Sequence, residues 1–95
     1  MALYVLVCND KPNSLDLRMA TREAHLAYVR GFVDKTRLGG PLLDENGDMA
    51  GSLLIMDMET LDEVRAFSAG DPYFKAGLFG QVQILPFRPS LGKLG

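Results

Sequence analysis

The stretch LYVLVC, residues 3–8, decides the fold. It is rich in β-branched and aromatic residues, and the turn-forming residues NDKPN follow it at 9–13, so it predicts a β-strand. Side chains alternate between the two faces of a strand, and both faces are apolar here. Because a strand that is apolar on both faces must be covered on both, we expect both faces of this strand to be buried against other parts of the assembled protein.

Two helix caps follow the first strand. Ser14 precedes a short run at 15–18, and Thr21 precedes a longer amphipathic run with apolar residues at helical spacing as far as Val33. Gly-Gly-Pro at 39–41 then prevents the helix from continuing. These signals predict one long helix that begins near Thr21 and ends before residue 39.

The middle of the chain predicts a β-hairpin. Residues 42–43 are expected to begin a strand, and residues 49–58 form the returning strand. The sequence DENGD at 44–48 predicts the turn between them, because Asn-Gly tolerates the positive φ that such turns need.

The last third of the chain predicts a helix and a final strand. Thr60 and Glu63 match the capping box, so a helix is expected from residue 61 to Gly70. Asp71 is expected to cap a further short helical turn that starts with proline. Residues 81–87 are expected to form the last strand, and Pro86 and Pro89 indicate that it ends at a sheet edge.

The predicted order of strand, helix, strand, strand, helix, strand is the split βαβ pattern of the ferredoxin-like α+β fold. Such a fold has one antiparallel sheet with two helices on one face. A chain of 95 residues fits a single domain, residues 1–95. The other sheet face stays bare, and we expect it to pack against a second copy in an isologous homodimer.

Composition excludes several classes of protein. The chain is 47% hydrophobic with a net charge of −2, so neither disorder nor nucleic-acid binding is expected. Its longest apolar runs fall far short of a membrane span of roughly 20 residues, and the N-terminus lacks the flank and cleavage site of a signal peptide. We expect a cytoplasmic protein without a membrane partner.

The sequence offers no set of ligands for a metal. Cys8 is the only cysteine and His25 the only histidine, which excludes an internal disulfide and any site built from several cysteines or histidines. The acidic group at 44–48 lacks the ligand order of a calcium loop. Cys8 lies inside an apolar strand, so we expect a buried, unreactive thiol.

His25 must serve any histidine-dependent chemistry. Placed about one turn into the predicted helix, it lies near the positive end of the macrodipole, which favours a neutral ring that accepts a proton. A histidine without a role is the alternative. Asp71 has two interpretations as well: a helix cap only, or a carboxylate that orients His25. Ser52, which follows Gly51 at a strand end, is either a tolerated polar residue or a hydroxyl brought close to a ligand.

Several short segments together resemble one family. They are Tyr4-Val5 followed by Asp10-Lys11 and Ser14-Leu15, Arg22-x-x-His25-Leu26, Arg37-Leu38 leading to Gly40-Pro41, Gly51-Ser52, Asp71-Pro72-Tyr73 with Ala76-Gly77, and Pro86-Phe87. In this order and spacing the chain resembles the YCII-related proteins from about Leu3 to Phe87. It departs from many of them in its short hairpin at 44–50, where they have a longer proline-containing loop.

The resemblance implies a ferredoxin-like protomer in a dimeric α/β-barrel association. It implies an active site built on a histidine–aspartate pair, His25 and Asp71, with Ser52 nearby. One branch of the family eliminates chloride from a chlorinated hydroxyquinol. The segments that carry the resemblance also contain Arg22, Gly40, Pro41 and Tyr73, which we expect to bind substrate together with Ser52.

Three functions fit these expectations. The first is an enzyme of lyase or isomerase type without a cofactor, acting on a small organic acid or cyclic metabolite, with His25 as general acid or base. The second is a non-catalytic module that binds a metabolite or docks to a larger enzyme. The third is a dimer with a purely structural role.

Overall fold

Strand β1 (Leu3–Asp10) lies inside a four-stranded antiparallel sheet of order β2-β3-β1-β4. This computed structural model describes residues 2–93; Met1, Leu94 and Gly95, which the predicted domain 1–95 includes, lie outside the described residues. The remaining elements are α1 (Leu15–Arg30), a 3-10 turn (Val33–Lys35), β2 (Thr36–Leu43), β3 (Met49–Asp57), α2 (Leu61–Gly70), α3 (Pro72–Lys75) and β4 (Phe79–Phe87).

The sheet and its helices form the ferredoxin-like arrangement that the sequence predicts. β1 pairs with β3 on one side and β4 on the other, and β3 pairs with β2, all antiparallel. The helices cover one face of the sheet. The strand at residues 81–87 is predicted at an edge, and β4 does lie at an edge.

The core lies between the sheet and the helices. Leu6 and Cys8 of β1 are 1% and 2% exposed and belong to the same apolar cluster as Val64 and Phe67 of α2. The alternate β1 side chains at 3, 5 and 7 therefore point to the opposite face, which carries no helix in residues 2–93. No helix in that range is long and apolar enough to cross a membrane.

Helix α1 differs from the prediction at its start. It is one helix of 16 residues from Leu15, and Thr21 lies inside it, where its hydroxyl donates to the Leu17 carbonyl at 2.9 Å. The predicted cap at Thr21 is wrong because no helix-breaking residue separates 15–18 from the run that follows. His25 consequently lies in the body of the helix. The predicted place of His25 near the positive end of the macrodipole is therefore wrong, since the macrodipole acts within the terminal turns.

The end of α1 and the start of β2 also differ from the prediction. The helix ends at Arg30 with Gly31 as its cap, and β2 starts at Thr36. Gly-Gly-Pro at 39–41 therefore lies inside a strand and does not end the helix. A proline is tolerated there because β2 is an edge strand, where a missing N–H costs no ladder hydrogen bond.

The predicted hairpin turn and the predicted caps at Thr60 and Asp71 are confirmed, whereas Ser14 lies at the N-cap of α1 without a side-chain cap hydrogen bond. The Asp44 N–H donates to the Asp48 carbonyl at 2.9 Å, and Gly47 has φ of 84°. The Thr60 hydroxyl accepts from the Glu63 N–H at 3.2 Å, and the Asp71 carboxylate accepts from the Tyr73 N–H at 2.9 Å. These local contacts fix where α2 and α3 begin.

Candidate active site

A cavity of about 180 Å³ lies between α1 and the β2–β3 side of the sheet. One face of α1 forms its first wall with Arg18, Arg22 and His25, spaced by four and three residues so that they share a helix face. Glycines and a proline of β2 and Ser52 of β3 form the facing wall. The cavity thus combines charged and polar groups with the apolar side chains that surround them.

His25 and Asp71 meet at this cavity. His25 Nδ1 lies 2.9 Å from Asp71 Oδ1, and the two side chains are 11% and 5% exposed. The same Asp71 oxygen accepts the Tyr73 N–H. Asp71 stands in place because α2 ends at Gly70 and Pro72 opens α3, which leaves Asp71 as the cap. Both interpretations of Asp71 therefore hold in geometry: it caps a helix, and it contacts His25.

The Tyr73 ring joins the histidine to a buried arginine. His25 stacks on Tyr73 with ring centroids 4.1 Å apart and an interplanar angle of 16°. The Arg18 guanidinium carbon lies 4.4 Å from the centroid of the same Tyr73 ring. Tyr73, itself 1% exposed, therefore contacts both a cation and an imidazole.

Arg18 is the most tightly held charged group of the site. Its Nε donates to Asp10 Oδ2 at 2.7 Å and its Nη2 donates to Asp10 Oδ1 at 2.8 Å, a bidentate pair. Nη2 also donates to Ser52 Oγ at 3.0 Å. Arg18 is 2% exposed. Burial opposes its charged form, but the hydrogen bonds and charge of Asp10 outweigh this cost and raise the pKa of Arg18.

Most predicted site residues converge on the cavity. Its lining includes His25, Ser52 and four further predicted residues, which are Arg22, Gly40, Pro41 and Tyr73. Asp71 does not itself line the cavity and reaches it only through its hydrogen bond to His25. The catalytic and binding roles of all seven remain predictions.

Ser52 reaches the cavity because β1 and β3 approach closely beside it. Ser52 is 4% exposed and pairs in register with Cys8 of β1. At the neighbouring Gly51, a Cβ atom would come within 2.5 Å of the Cys8 carbonyl oxygen. Only a glycine allows this approach, so Gly51 lets β3 and the Ser52 hydroxyl lie close to β1.

Two residues of the site have no counterpart among the predicted ones. The sequence places Arg18 in a short helical run after Ser14, and Asp10 in a turn and in one segment of the family resemblance, without a role in the site for either. The available signal was the spacing of Arg18, Arg22 and His25. A helix predicted to start at Thr21 leaves out Arg18, so the helix face that the three residues share is not recognised.

Burial also raises the pKa values of two other side chains near the site, those of Cys8 and Tyr73. It raises the pKa of the Cys8 thiol to about 12, and the negative charge of Asp71 adds to this effect. Burial likewise raises the pKa of Tyr73, against the opposing charges of Arg18 and Arg22. Both groups are therefore protonated near neutral pH. The predicted burial of the Cys8 thiol is confirmed, and its lack of reactivity stays a prediction.

The described chain contains no cluster suited to a metal ion. Within residues 2–93, no three His, Cys, Asp or Glu side chains gather in such a group. In the acidic hairpin, Asp44 Oδ1 accepts from the backbone N–H groups of Asn46 and Asp48. Its carboxylate serves the turn.

The fold and the cavity define a class: small ferredoxin-like α+β proteins with a buried histidine–carboxylate pair beside a pocket. Within that class, the chain belongs to the YCII-related family, because residues 2–88 match the YCII-related domain. The resemblance drawn from the short motifs is confirmed.

The similar proteins agree with this assignment. The chain is 37% identical to Protein YciI of Escherichia coli, with 90% of this chain and 96% of that protein covered. It is 38% identical to the solved structure of 5-chloro-2-hydroxyhydroquinone dehydrochlorinase, TftG, from Burkholderia phenoliruptrix AC1100, a complex with 2,5-dihydroxybenzoquinone. That match has a TM-score of 0.87 and covers 93% of this chain and 95% of TftG.

A more distant structure shares the fold alone. An antibiotic biosynthesis monooxygenase matches with a TM-score of 0.59 at 10% identity, covering 96% of this chain and all of that one. The ferredoxin-like architecture predicted from the order of elements is therefore confirmed by comparison as well as by topology.

Proposed function

We propose that this protein is a small-molecule enzyme of the lyase or isomerase type, which moves protons on an oxygenated ring in the cavity beside His25. The observation that carries the proposal is the buried hydrogen bond between His25 and Asp71 at the cavity wall. A dehydrochlorinase-like reaction is the specific form we favour, supported by the 38% identity to TftG.

His25 acts as the general acid and base. Its Nδ1 donates to the Asp71 carboxylate, which leaves Nε2 as the ring nitrogen that a bound molecule can reach. A carboxylate on Nδ1 fixes the tautomer and orientation of the ring and stabilises the imidazolium that forms after proton transfer. Asp71 is itself fixed by the Tyr73 N–H, so the pair is preorganised.

The cavity suits one small ring. At about 180 Å³ it is close to the size of an apolar cavity of about 150 Å³ that accepts benzene. Leu26, Val29 and Leu54 supply apolar walls. Gly40 and Pro41 complete the wall, and Gly40 adds no side chain to it. We therefore propose a small cyclic substrate with acidic oxygens, held by Ser52, Arg22 and Tyr73.

Elimination of HCl from a chlorinated hydroxyquinol balances without an oxidant. In the proposed reaction, His25 takes a ring hydroxyl proton and a proton is delivered to the chlorine-bearing carbon. The C–Cl electron pair leaves with chloride, and a second hydroxyl proton is released. Two hydroxyls become two carbonyls, so the substrate loses one H⁺ and one Cl⁻ in total. The steps are proton transfers and a halide departure, which a positioned base and a hydrogen-bond donor serve.

We propose that the protein works as a homodimer. The sheet face without helices carries Leu3, Val5 and Val7 of β1, and Leu85 and Phe87 of β4 are 51% and 41% exposed. Contiguous apolar surface of this kind marks an interaction site, and a second copy covers it by twofold symmetry. Because the net charge is −2, we propose no nucleic-acid partner. We also propose that the protein is cytoplasmic and has no membrane partner.

Chloride release tests the enzymatic proposal. The purified protein is incubated with 5-chloro-2-hydroxyhydroquinone, and chloride is followed against the uncatalysed reaction. We expect turnover by the native protein and a loss of at least about 100-fold in His25→Ala and His25→Gln, with unchanged circular dichroism. A native protein that binds the compound without releasing chloride supports a non-catalytic metabolite-binding module and contradicts the enzyme.

A further inference from the structure

The hydroxyl of Ser52 is arranged to donate into the cavity. Its oxygen accepts the Arg18 Nη2–H at 3.0 Å. A serine hydroxyl has one proton to donate, and no residue between 2 and 93 accepts that proton in a hydrogen bond of the structure. Ser52 is 4% exposed and lines the cavity. The hydroxyl proton of Ser52 is therefore available for donation to a molecule bound in the cavity.

Arg18 can only donate to Ser52, and its other contacts fix its position. A guanidinium has only donors and no acceptor, and Arg18 uses Nε and Nη2 on the two oxygens of Asp10. The Nη2 that reaches Ser52 is thus held in one geometry by a bidentate ion pair and by the Tyr73 ring. Because Ser52 must accept from Arg18, it is polarised as a donor toward the cavity.

Arg22 adds a cation at the exposed side of the same cavity. It is exposed and lines the cavity, and its charge acts on Tyr73, where it opposes the rise in pKa that burial causes. Among residues 2–93, no carboxylate forms an ion pair with Arg22. The cavity therefore presents a donor hydroxyl, an unpaired guanidinium and a second guanidinium behind them, and no carboxylate lines it.

We infer that the site binds its substrate as an oxyanion, a phenolate or enolate oxygen that accepts from Ser52 and pairs with Arg22, and that Arg18 is the positioning residue that makes Ser52 a donor. This inference rests on the proposed function and names the ionisation state of its substrate. It also gives the site two ends. One end stabilises negative oxygen, and the other, His25, takes or returns the proton.

Two quinones that differ in charge test the inference. 2,5-Dihydroxybenzoquinone is a vinylogous acid that ionises, whereas its dimethyl ether is neutral and similar in shape. We expect the native protein to bind the acid at least about tenfold more tightly, since hydrogen bonds to charged groups are among the strongest. Ser52→Ala is expected to remove most of this preference while leaving affinity for the ether within about twofold. Ser52→Thr, which keeps the hydroxyl, retains it.

The role of Arg18 is read from a double-mutant cycle. Arg18→Lys keeps the charge but loses the fork that holds both Asp10 and Ser52, so we expect a reduced preference for the acid. In the Ser52→Ala background the same change is expected to have no further effect on that preference, because Arg18 acts through Ser52. A merely structural role would weaken both quinones equally.

The outcomes separate this inference from the proposed function. Equal affinity of the native protein for both quinones, or an acid preference that survives Ser52→Ala, overturns the oxyanion site and leaves the role of His25 standing. Additive effects of Arg18→Lys and Ser52→Ala overturn the positioning role. Failure of the native protein to bind either quinone overturns both the oxyanion site and the proposed substrate class.

Discussion

Nδ1 of His25 lies 2.9 Å from Oδ1 of Asp71, although the two residues are 46 positions apart in the chain. His25 lies on helix α1 in the first half of the chain, and Asp71 is a helix cap in the second half. Neither residue needs the other for its place in the secondary structure: His25 belongs to the body of α1, and Asp71 is fixed by the start of α3. Their meeting is a consequence of the fold, and it produces an acid–base pair beside a cavity.

Substitution of Asp71 separates its two contacts. Asn is a good helix cap, so Asp71→Asn is expected to change the free energy of unfolding by less than ~1 kcal/mol. It no longer provides a carboxylate for Nδ1, so chloride release is expected to fall about 10²- to 10⁴-fold. Asp71→Ala, the matched control, loses the cap as well and about a further 1 kcal/mol of stability. Native turnover in Asp71→Asn would exclude the pairing from the mechanism.

The buried ion pair of Arg18 is expected to matter far more for stability than an exposed one. Arg18→Met leaves the Asp10 carboxylate buried without a partner, which costs about 3–5 kcal/mol. Arg65→Met removes an exposed pair with Asp62, whose side chains are 63% and 92% exposed, and is expected to cost less than ~1 kcal/mol. Urea denaturation of both variants measures the difference, and equal losses would show that the Asp10 contact is not a stabilising one.

Cys8 makes the stability depend on alkaline pH. Its pKa is about 12 in the folded protein against an ordinary value near 9, so the unfolded state releases the thiol proton first. The contribution of the protonated Cys8 thiol to the free energy of unfolding is therefore fully present below pH ~9. It is lost between pH ~9 and ~12, by about 1.4 kcal/mol per pH unit once the unfolded thiol is ionised.

Cys8→Ala isolates this effect. The free energy of unfolding is measured at pH 8 and pH 10 in both proteins, and the native protein is expected to lose about 1.4 kcal/mol more than the variant over that interval. Tyr73, whose pKa is also raised, contributes equally to both and cancels in the comparison. An identical fall in the free energy of unfolding in the two proteins would show that burial does not raise the pKa of the Cys8 thiol.

The proposed homodimer predicts a strong effect of charge on the open sheet face. Val5→Asp puts a carboxylate in the centre of that face and is expected to convert a dimer to a monomer in analytical ultracentrifugation. Ala24→Glu, at an exposed position of α1, is the control and is expected to leave the dimer intact. A native protein that sediments as a monomer at low micromolar concentration would contradict the dimer.

Much of the fold is predictable from local signals. The apolar strand at 3–8, the Asn-Gly turn and the Thr60 cap each act within a few residues of themselves, and all three have the predicted form. The error at Thr21 arises because a threonine inside a helix bonds the carbonyl four residues earlier, here that of Leu17. Sequence alone does not distinguish this contact from a cap.

The site is predictable only in part. A single histidine and an aspartate at a helix start are visible in the sequence, but the contact between them depends on the packing of α1 against the chain after α2. The Asp10–Arg18–Ser52 cluster escaped prediction for the same reason: its three members come from β1, α1 and β3. Each is an ordinary polar residue until the sheet and the helix bring the three together.

Hydrogen–deuterium exchange on a bound ring tests the central claim most directly. In D₂O, a base that removes and returns protons by keto–enol tautomerism exchanges the ring C–H of 2,5-dihydroxybenzoquinone, which proton NMR follows. We expect the native protein to accelerate this exchange, and we expect His25→Gln, folded and still binding the quinone, to leave it at the uncatalysed rate. Exchange as fast in His25→Gln as in the native protein would contradict the role of His25 as the proton-transfer group.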